Sequence, residues 1–290
     1  MTFSFYKRIS CVDEWSDELK NYPLFDIYHT WHYHQAHVFG MDGQPVLYVF
    51  ASGSKRIAIP VVENAFGNYT DLTSVYGYSG PLCVDGKEIC AILASEWSII
   101  SNYFFEQGVI CYFSRVNNFT THIDSFKSIS GVEKSGITVF IDLATTPIEQ
   151  ISNYRKVHRR DVRNLKKTGY LCDFVSYEDG IDKFIDVYHQ SMDMVGASEA
   201  YYFPRQYYEL LFSNPDFEVK IAIVELNGEV ACAGIFFFGN GIVQYHLSGT
   251  SPAYYRHAPN KLMLDFVREY AANRGGFSVF HLGGGLGGKE

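Results

Sequence analysis

No apolar run in this 290-residue chain approaches the roughly 20 residues needed to span a membrane, because charge breaks every hydrophobic stretch. The N-terminal segment MTFSFYKRISCVDEW lacks the apolar core of a signal peptide, so a cytoplasmic location is expected. Cysteine is sparse and never forms a CxxC pair. The six (Cys11, Cys83, Cys90, Cys111, Cys172, Cys232) are scattered singly and read as buried small hydrophobes of a reducing compartment, which sets aside a disulfide framework. There is no HExxH pattern either, so the histidines of HTWHYHQAH (His29, His32, His34, His37) have no zinc motif around them, and no metal is expected. Basic residues are outnumbered, 24 Lys and Arg against 32 Asp and Glu, for a formal net charge of −8. That balance argues against a general nucleic-acid binder, and DNA is not expected as a partner.

Hydrophobic residues reach 47% and aromatics 17%, enough for a sizeable core in one large domain or two of ordinary size. The basic residues that do occur are concentrated. Seven of the 24, with a single Asp, lie in RKVHRRDVRNLKK (155–167), which leaves 17 against 31 in the rest of the chain. A solvated helix face, a nucleic-acid contact and a handle for a phosphate-bearing substrate all fit such a segment. Arg155, Arg159 and Arg163, spaced i, i+4, i+8, would share one helical face, and planar guanidiniums suit bidentate phosphate recognition.

The pattern of elements restarts near residue 135. Before it come a short helix over 28–37, a hairpin (PVLYVFA, SGS, RIAIPVV), the loop YGYSGPL, a helix over about 87–107 and the strand VICYFSR. After it, the strand ITVFIDL leads into a helix with Thr146 as N-cap, Pro147 at N1, Glu149 completing a capping box and Gly169 at C′. Ile148, Ile151, Val162 and Leu165 would form its buried stripe. Then follow YLCDFVSY, a helix over 181–194, a short helix from Pro204, and three strands joined at Asn227-Gly228 and Gly239-Asn240-Gly241. A helix over 259–273 and the strand FSVFHLG close the chain. The expected class is α+β, with mixed sheets flanked by helices and a division into residues 1–135 and 136–290.

Four segments carry a family resemblance: DIYHTWHYHQAH, YGYSGPL, YRKVHRRDVRNLKKTGY and YYRHAPNKLMLDFVREYAANRGGFSVFHLGGGLGG. Together, and in this order, they resemble the FemAB-like branch of the GNAT acyltransferase superfamily, which includes peptidoglycan-bridge aminoacyltransferases. The resemblance implies two GNAT-like lobes and acyl transfer to an amine of a cell-envelope or saccharide precursor. It also implies a cleft between the lobes. Tyr76, Tyr78 and Gly80 of YGYSGPL would form a wall of it, since glycine lets a ligand approach the backbone and tyrosine offers a flat face with a polar tip. VQYHLSG corresponds by order to the strand whose backbone N–H polarises the acyl carbonyl. Tyr245 and His246 point to opposite faces there, and His246 is a candidate base. His281 and Gly283, in the closing HLGGG, are expected where backbone passes close to substrate. The segment Arg256-His257-Ala258-Pro259-Asn260-Lys261 takes the place where CoA-using members carry a glycine-rich pyrophosphate loop, yet it has no glycine. Acyl-CoA is therefore one possible donor and aminoacyl-tRNA the other. Lys261, unfavourable in the first turn of a helix, would be tolerated if it met an anion. A nucleotide-linked saccharide is the expected small-molecule partner. A non-catalytic saccharide-binding module on the same fold is the alternative of another class, and a site lacking titratable groups at the carbonyl position would favour it.

Overall fold

Strand alternation and helix caps account for most of the architecture. The computed structural model describes residues 3–122, 126, 129–134 and 136–284. In chain order the elements are β1 (Phe5–Ile9), α1 (Val12–Leu19), α2 (Trp31–His37), β2 (Gln44–Ser52), β3 (Lys55–Phe66), β4 (Tyr69–Thr73), β5 (Leu82–Asp85), β6 (Glu88–Ile89), α3 (Ala94–Glu106) and β7 (Val109–Phe113). They continue with β8 (Thr138–Asp142), α4 (Pro147–Ser152), α5 (Lys156–Lys167), β9 (Leu171–Val175), α6 (Tyr177–Val195), α7 (Arg205–Ser213), β10 (Glu218–Leu226), β11 (Glu229–Gly239), β12 (Ile242–Thr250), α8 (Asn260–Arg274) and β13 (Val279–Gly284). The chain falls into two units, residues 1–134 with 205–216, and residues 135–204 with 217–290. Among the described residues, no helix is long and apolar enough to cross a membrane.

The first unit holds a sheet in the order β1-β2-β3-β4-β7, with β5 also pairing β3 and β6 pairing β5. β4 and β7 are parallel and the other pairs antiparallel. β2 is buried along nearly its whole length because both faces are covered. Val46, Tyr48 and Phe50 join the cluster around Ile100 and Phe104 of α3, while Leu47 and Val49 join the cluster around Trp15 and Leu19 of α1. Although α7 comes from the second half of the sequence, it clusters with this unit, where it packs on α2 and buries Tyr207, Tyr208 and Leu211. His32 Nδ1 meets Asp216 Oδ2 at 2.7 Å just beyond α7.

In the second unit the order is β8-β13-β12-β11-β10-β9, antiparallel except for β12–β13. Val162 and Leu165 of α5 and Leu262, Met263, Val267 and Ala271 of α8 share one cluster with Phe236, Val243 and Phe280 of the sheet. α6 packs on β10, β11 and β12. Both sheets are thus mixed and flanked by helices, as the α+β reading expects.

Several boundaries differ from the sequence reading. The helix read continuously from Thr146 to Gly169 is two, α4 and α5, broken at 153–155. Its capping box at Thr146 and Glu149 is present. So is its end, where Tyr170 N–H reaches Leu165 O at 3.1 Å and Gly169 N–H reaches Lys166 O at 3.3 Å, a Schellman closure around a left-handed Gly169. The break divides the expected stripe. Val162 and Leu165 are buried, but Ile148 and Ile151 are 81% and 40% exposed. The helix read over 87–107 begins only at Ala94, because Glu88–Ile89 pairs as β6. The helix read over 28–37 is a 3-10 turn, Ile27–His29, followed by α2.

Candidate active site

The loop YGYSGPL is held by its carbonyl groups. Tyr33 OH donates to Tyr76 O at 2.6 Å, Asn117 Nδ2 to Tyr78 O at 3.3 Å, and Thr121 Oγ1 to Pro81 O at 2.6 Å. His29 serves Gly80: its Nδ1 accepts from Asp26 N–H at 3.0 Å, so its Nε2–H is the group that donates to Gly80 O at 3.0 Å. Burial pushes the His29 pKa down to about 4, which keeps this tautomer neutral. Close approach explains the glycines. A Cβ on Gly77, at φ +122, would sit 2.4 Å from the Tyr28 ring, and one on Gly80 would sit 2.7 Å from Val116 Cα. Tyr78 meets Tyr28 edge-on at 6.2 Å, and both Tyr76 and Tyr78 are half-buried. Asp26, fully buried, also takes Asn117 Nδ2 at 2.5 Å.

In the second unit, β12 and β13 pair only through Ile242–Val279, Val243–Phe280 and Gln244–His281. Each strand then carries a bulge. The register against β11 passes from Phe236–Tyr245 to Ile235–Leu247, so His246 is the extra residue of β12. The register against β8 passes from Phe140–His281 to Val139–Gly283, so Leu282 is the extra residue of β13, beside a left-handed Gly283 at φ +76. A bulge bends its strand and raises the local twist, and two bulges just past the last common pair part the strands. Beyond Gln244 the β12–β13 ladder ends. Tyr245 and His246 face opposite sides of the sheet at this point. Tyr245 stacks on Phe236 (5.3 Å between centroids) with its hydroxyl on Ser248 Oγ, whereas His246 packs on Phe237 at 4.4 Å. Burial pushes the Tyr245 pKa up to about 12. His281 donates from Nδ1 to Gln244 Oε1 at 2.9 Å, and burial pushes its pKa down to about 4.

A cavity of about 490 Å³ opens between α5 and the start of α8. Its wall includes Arg160, Asp161, Tyr170, Arg256, His257 and Lys261, over an apolar floor of Leu165 and Leu226. Three formal positive charges face one carboxylate there, which suits an anion. Lys261 Nζ donates to Asp161 Oδ2 at 2.7 Å and holds that carboxyl below its usual range. Tyr170 OH meets His257 Nδ1. Ala258 takes a left-handed turn at φ +51, costing roughly 1–3 kcal/mol for a residue with a Cβ, and such strain clusters at functional sites.

A family model of the acetyltransferase (GNAT) domain matches residues 152–288. Residues 152–288 are a GNAT acetyltransferase domain. That match supports acyltransferase activity for this segment of the chain. Solved structures share its fold across the chain. FemX has 11% identity and a TM-score of 0.66, over 96% of this chain and 89% of its own. A protein of unknown function from Bacteroides thetaiotaomicron has 10% identity and a TM-score of 0.54, over 99% and 92%. A tandem GNAT protein from the clavulanic acid biosynthesis pathway has 9% identity and a TM-score of 0.50, over 97% and 90%. No curated protein matches the sequence. These structures share the fold of the chain, with two mixed sheets flanked by helices.

The GNAT domain brings some of the expected residues together and separates others. His246, Tyr245, His281 and Gly283 all lie where β12 and β13 part. Lys261 lies in the cavity beside α8, and the anion it meets is the protein's own Asp161. Arg155, Arg159 and Arg163 do not line that cavity. Arg155 is the N-cap of α5 rather than part of one continuous helix, and Arg163 Nε turns back onto Arg159 O at 3.2 Å. The cavity takes Arg160 instead, together with Arg256 and His257. Sequence spacing grouped the arginines at i, i+4, i+8 and so passed over Arg160, one position off that row, which lines the cavity. Tyr76, Tyr78 and Gly80 lie in the first unit, held by His29 and Asn117, whose roles no local motif announced. Among the described residues no cluster of three or more His, Cys, Asp or Glu could hold a metal. The last part of the glycine run, 285–288, lies outside the described residues.

Proposed function

We propose that the GNAT domain transfers an acyl group from a phosphate-bearing donor to an amine of a cell-envelope or saccharide precursor. The parting of β12 and β13 at the two bulges is the observation that carries this. It ends a ladder in mid-sheet, so backbone N–H groups of β12 beyond Gln244 can receive the carbonyl oxygen of a bound acyl group. Attack by a neutral amine forms a tetrahedral oxyanion, and fixed N–H donors stabilise that charge better than the ground-state carbonyl. His246, the bulged residue, takes a proton from the substrate ammonium, directly or through water, to give the neutral amine that attacks. Tyr245 lies on the opposite face with its hydroxyl on Ser248 Oγ, so it supports the bulged strand from the core side and takes no part in the proton transfer. The presence of His246 at the bulge supports catalysis over a purely binding module.

The cavity beside α8 supports a phosphate-bearing donor, with Arg160, Arg256 and Lys261 as its charge partners. Ala258 adopts the left-handed turn without glycine, so the missing glycines do not remove acyl-CoA from consideration. An aminoacyl-tRNA donor is favoured by a separate observation, the exposed run of Arg155, Lys156, Arg163 and Lys167 on α5, which would track more than one phosphate. Tyr76, Tyr78 and the Gly80 backbone are proposed to contact the acceptor. Mass spectrometry of ligands retained by the purified protein, followed by transfer assays with acetyl-CoA and with aminoacyl-tRNA on amine-bearing nucleotide sugars, tests this. Retention of one donor class and transfer from it are expected. No transfer from either donor to any such amine would overturn it.

A further inference from the structure

Two cysteines that lie seven positions apart in the sequence meet in space. β5 and β6 form a short hairpin with pairs Asp85–Glu88 and Val84–Ile89, and the next pair outward is Cys83 with Cys90. Cys90 N–H donates to Cys83 O at 3.0 Å, and the two Sγ atoms are 3.1 Å apart. Directly opposed, hydrogen-bonded residues of an antiparallel pair have Cα atoms about 5.5 Å apart, inside the range a disulfide spans. The sulfurs need to close by only about 1 Å to reach a bond length of about 2.05 Å. Cys83 is 1% exposed while Cys90 is partly open, so one thiol is reachable and the other is sheltered behind it. The Lys55 ammonium donates to Ala91 O at 2.8 Å, pairs with Glu96 at 2.7 Å and interacts electrostatically with both sulfurs. The thiolate is the reacting form of a cysteine, and the more open Cys90 is the one that an oxidant can reach. Burial, and the hydrogen bond with Cys90, push the Cys83 thiol up, so Cys83 keeps its proton until its neighbour has reacted.

We propose that Cys83 and Cys90 are a redox pair that converts reversibly between dithiol and disulfide, with Cys90 as the attacking and Cys83 as the resolving thiol. With a low-molecular-weight disulfide such as glutathione disulfide, Cys90 thiolate attacks one sulfur and releases one glutathione thiolate. Cys83 then loses its proton and attacks Cys90 Sγ. The protein disulfide forms, and the second glutathione leaves. Two electrons pass from the protein thiols to one glutathione disulfide, which becomes two glutathione thiols. The new bond ties β5, the direct continuation of YGYSGPL, to the segment leading into α3. Nothing in this depends on the identity of the acyl donor or acceptor.

The test is acid-quenched alkylation and peptide mapping of the full chain, equilibrated in glutathione buffers of increasing disulfide fraction. The exposed Cys11 and Cys111 serve as internal references for ordinary surface thiols. A Cys83–Cys90 crosslink, lighter by two hydrogens and reversed by dithiothreitol, should appear at an oxidant ratio at least tenfold lower than that giving glutathione adducts at the reference cysteines. Cys83→Ser should convert Cys90 into a site of stable glutathione adduct, and Cys90→Ser should leave Cys83 unmodified. A lasting glutathione adduct on Cys90 in the unaltered protein would overturn the proposal. So would a pair still reduced when Cys11 and Cys111 are modified.

Discussion

Acidification should loosen the first unit in the pH range where His29 takes a proton in the unfolded chain but not in the folded one. His29 is fully buried between Asp26 N–H and Gly80 O, and burial pushes its pKa from 6.5 to about 4. Between these values the unfolded chain binds more protons than the folded one. The stabilisation is therefore complete above about pH 6.5 and drains away as pH falls toward 4. The difference corresponds to about 3 kcal/mol once pH reaches the folded value. His34, also fully buried and pushed down to about 3, acts in the same direction. Urea unfolding followed by tryptophan fluorescence reads this unit alone, because the three tryptophans (Trp15, Trp31, Trp97) all belong to it. Trp15 Nε1 donates to His29 O at 2.8 Å and is a direct reporter. His29→Gln keeps a neutral donor but cannot titrate. It will be less stable than the unaltered protein near neutrality, and the gap should narrow by about 2–3 kcal/mol between about pH 7.5 and about pH 4.5. A gap that stays constant, or widens on acidification, would refute the assignment of His29 as a buried neutral donor.

Other perturbations discriminate further. Arg268→Ala should destabilise the second unit by about 3–5 kcal/mol in thermal or urea unfolding followed by circular dichroism, because it strips buried Asp265 of a partner at 3.1 Å and Gln150 of one at 3.2 Å. Gly80→Ala, whose Cβ would lie 2.7 Å from Val116 Cα, should cost about 1–3 kcal/mol in the same measurement and weaken acceptor binding as the loop shifts. Arg256→Ala should weaken donor binding by about 1.5–3 kcal/mol, the range for a lost charge-assisted hydrogen bond, with little effect on folding. Arg155→Ala should leave binding of a small donor unchanged in calorimetric titration, since Arg155 does not line the cavity; a loss matching that of Arg256→Ala would restore the simpler picture of one arginine face.

What was legible in the sequence follows from how local each determinant is. Thr146 with Glu149, Gly169 and Asn227-Gly228 act within a few residues, and each produced the cap or turn it signalled. The strands of the second unit announced themselves by apolar runs between such turns. The break at 153–155 was invisible because helical spacing continued through it, so Ile148 and Ile151 seemed to belong to a stripe that their own short helix does not share. β6 was lost because two paired residues carry no periodicity. VQYHLSG and HLGGG were legible as strands, but the bulges at His246 and Leu282 arise from register against β11 and β8, which no single strand encodes. Likewise Cys83 and Cys90 read as separate, since only the hairpin between them makes them neighbours.

A phosphate-bearing acyl donor is proposed to bind the GNAT domain at the cavity beside α8. Equilibrium binding of CoA and of an aminoacyl-tRNA acceptor-stem fragment, to the unaltered protein and to Arg256→Ala across a salt series, tests it most directly. One of the two is expected to bind, and Arg256→Ala to weaken it tenfold or more, with a shallow salt slope for CoA and a steep one for RNA. Binding of neither ligand, or binding indifferent to Arg256, would contradict it.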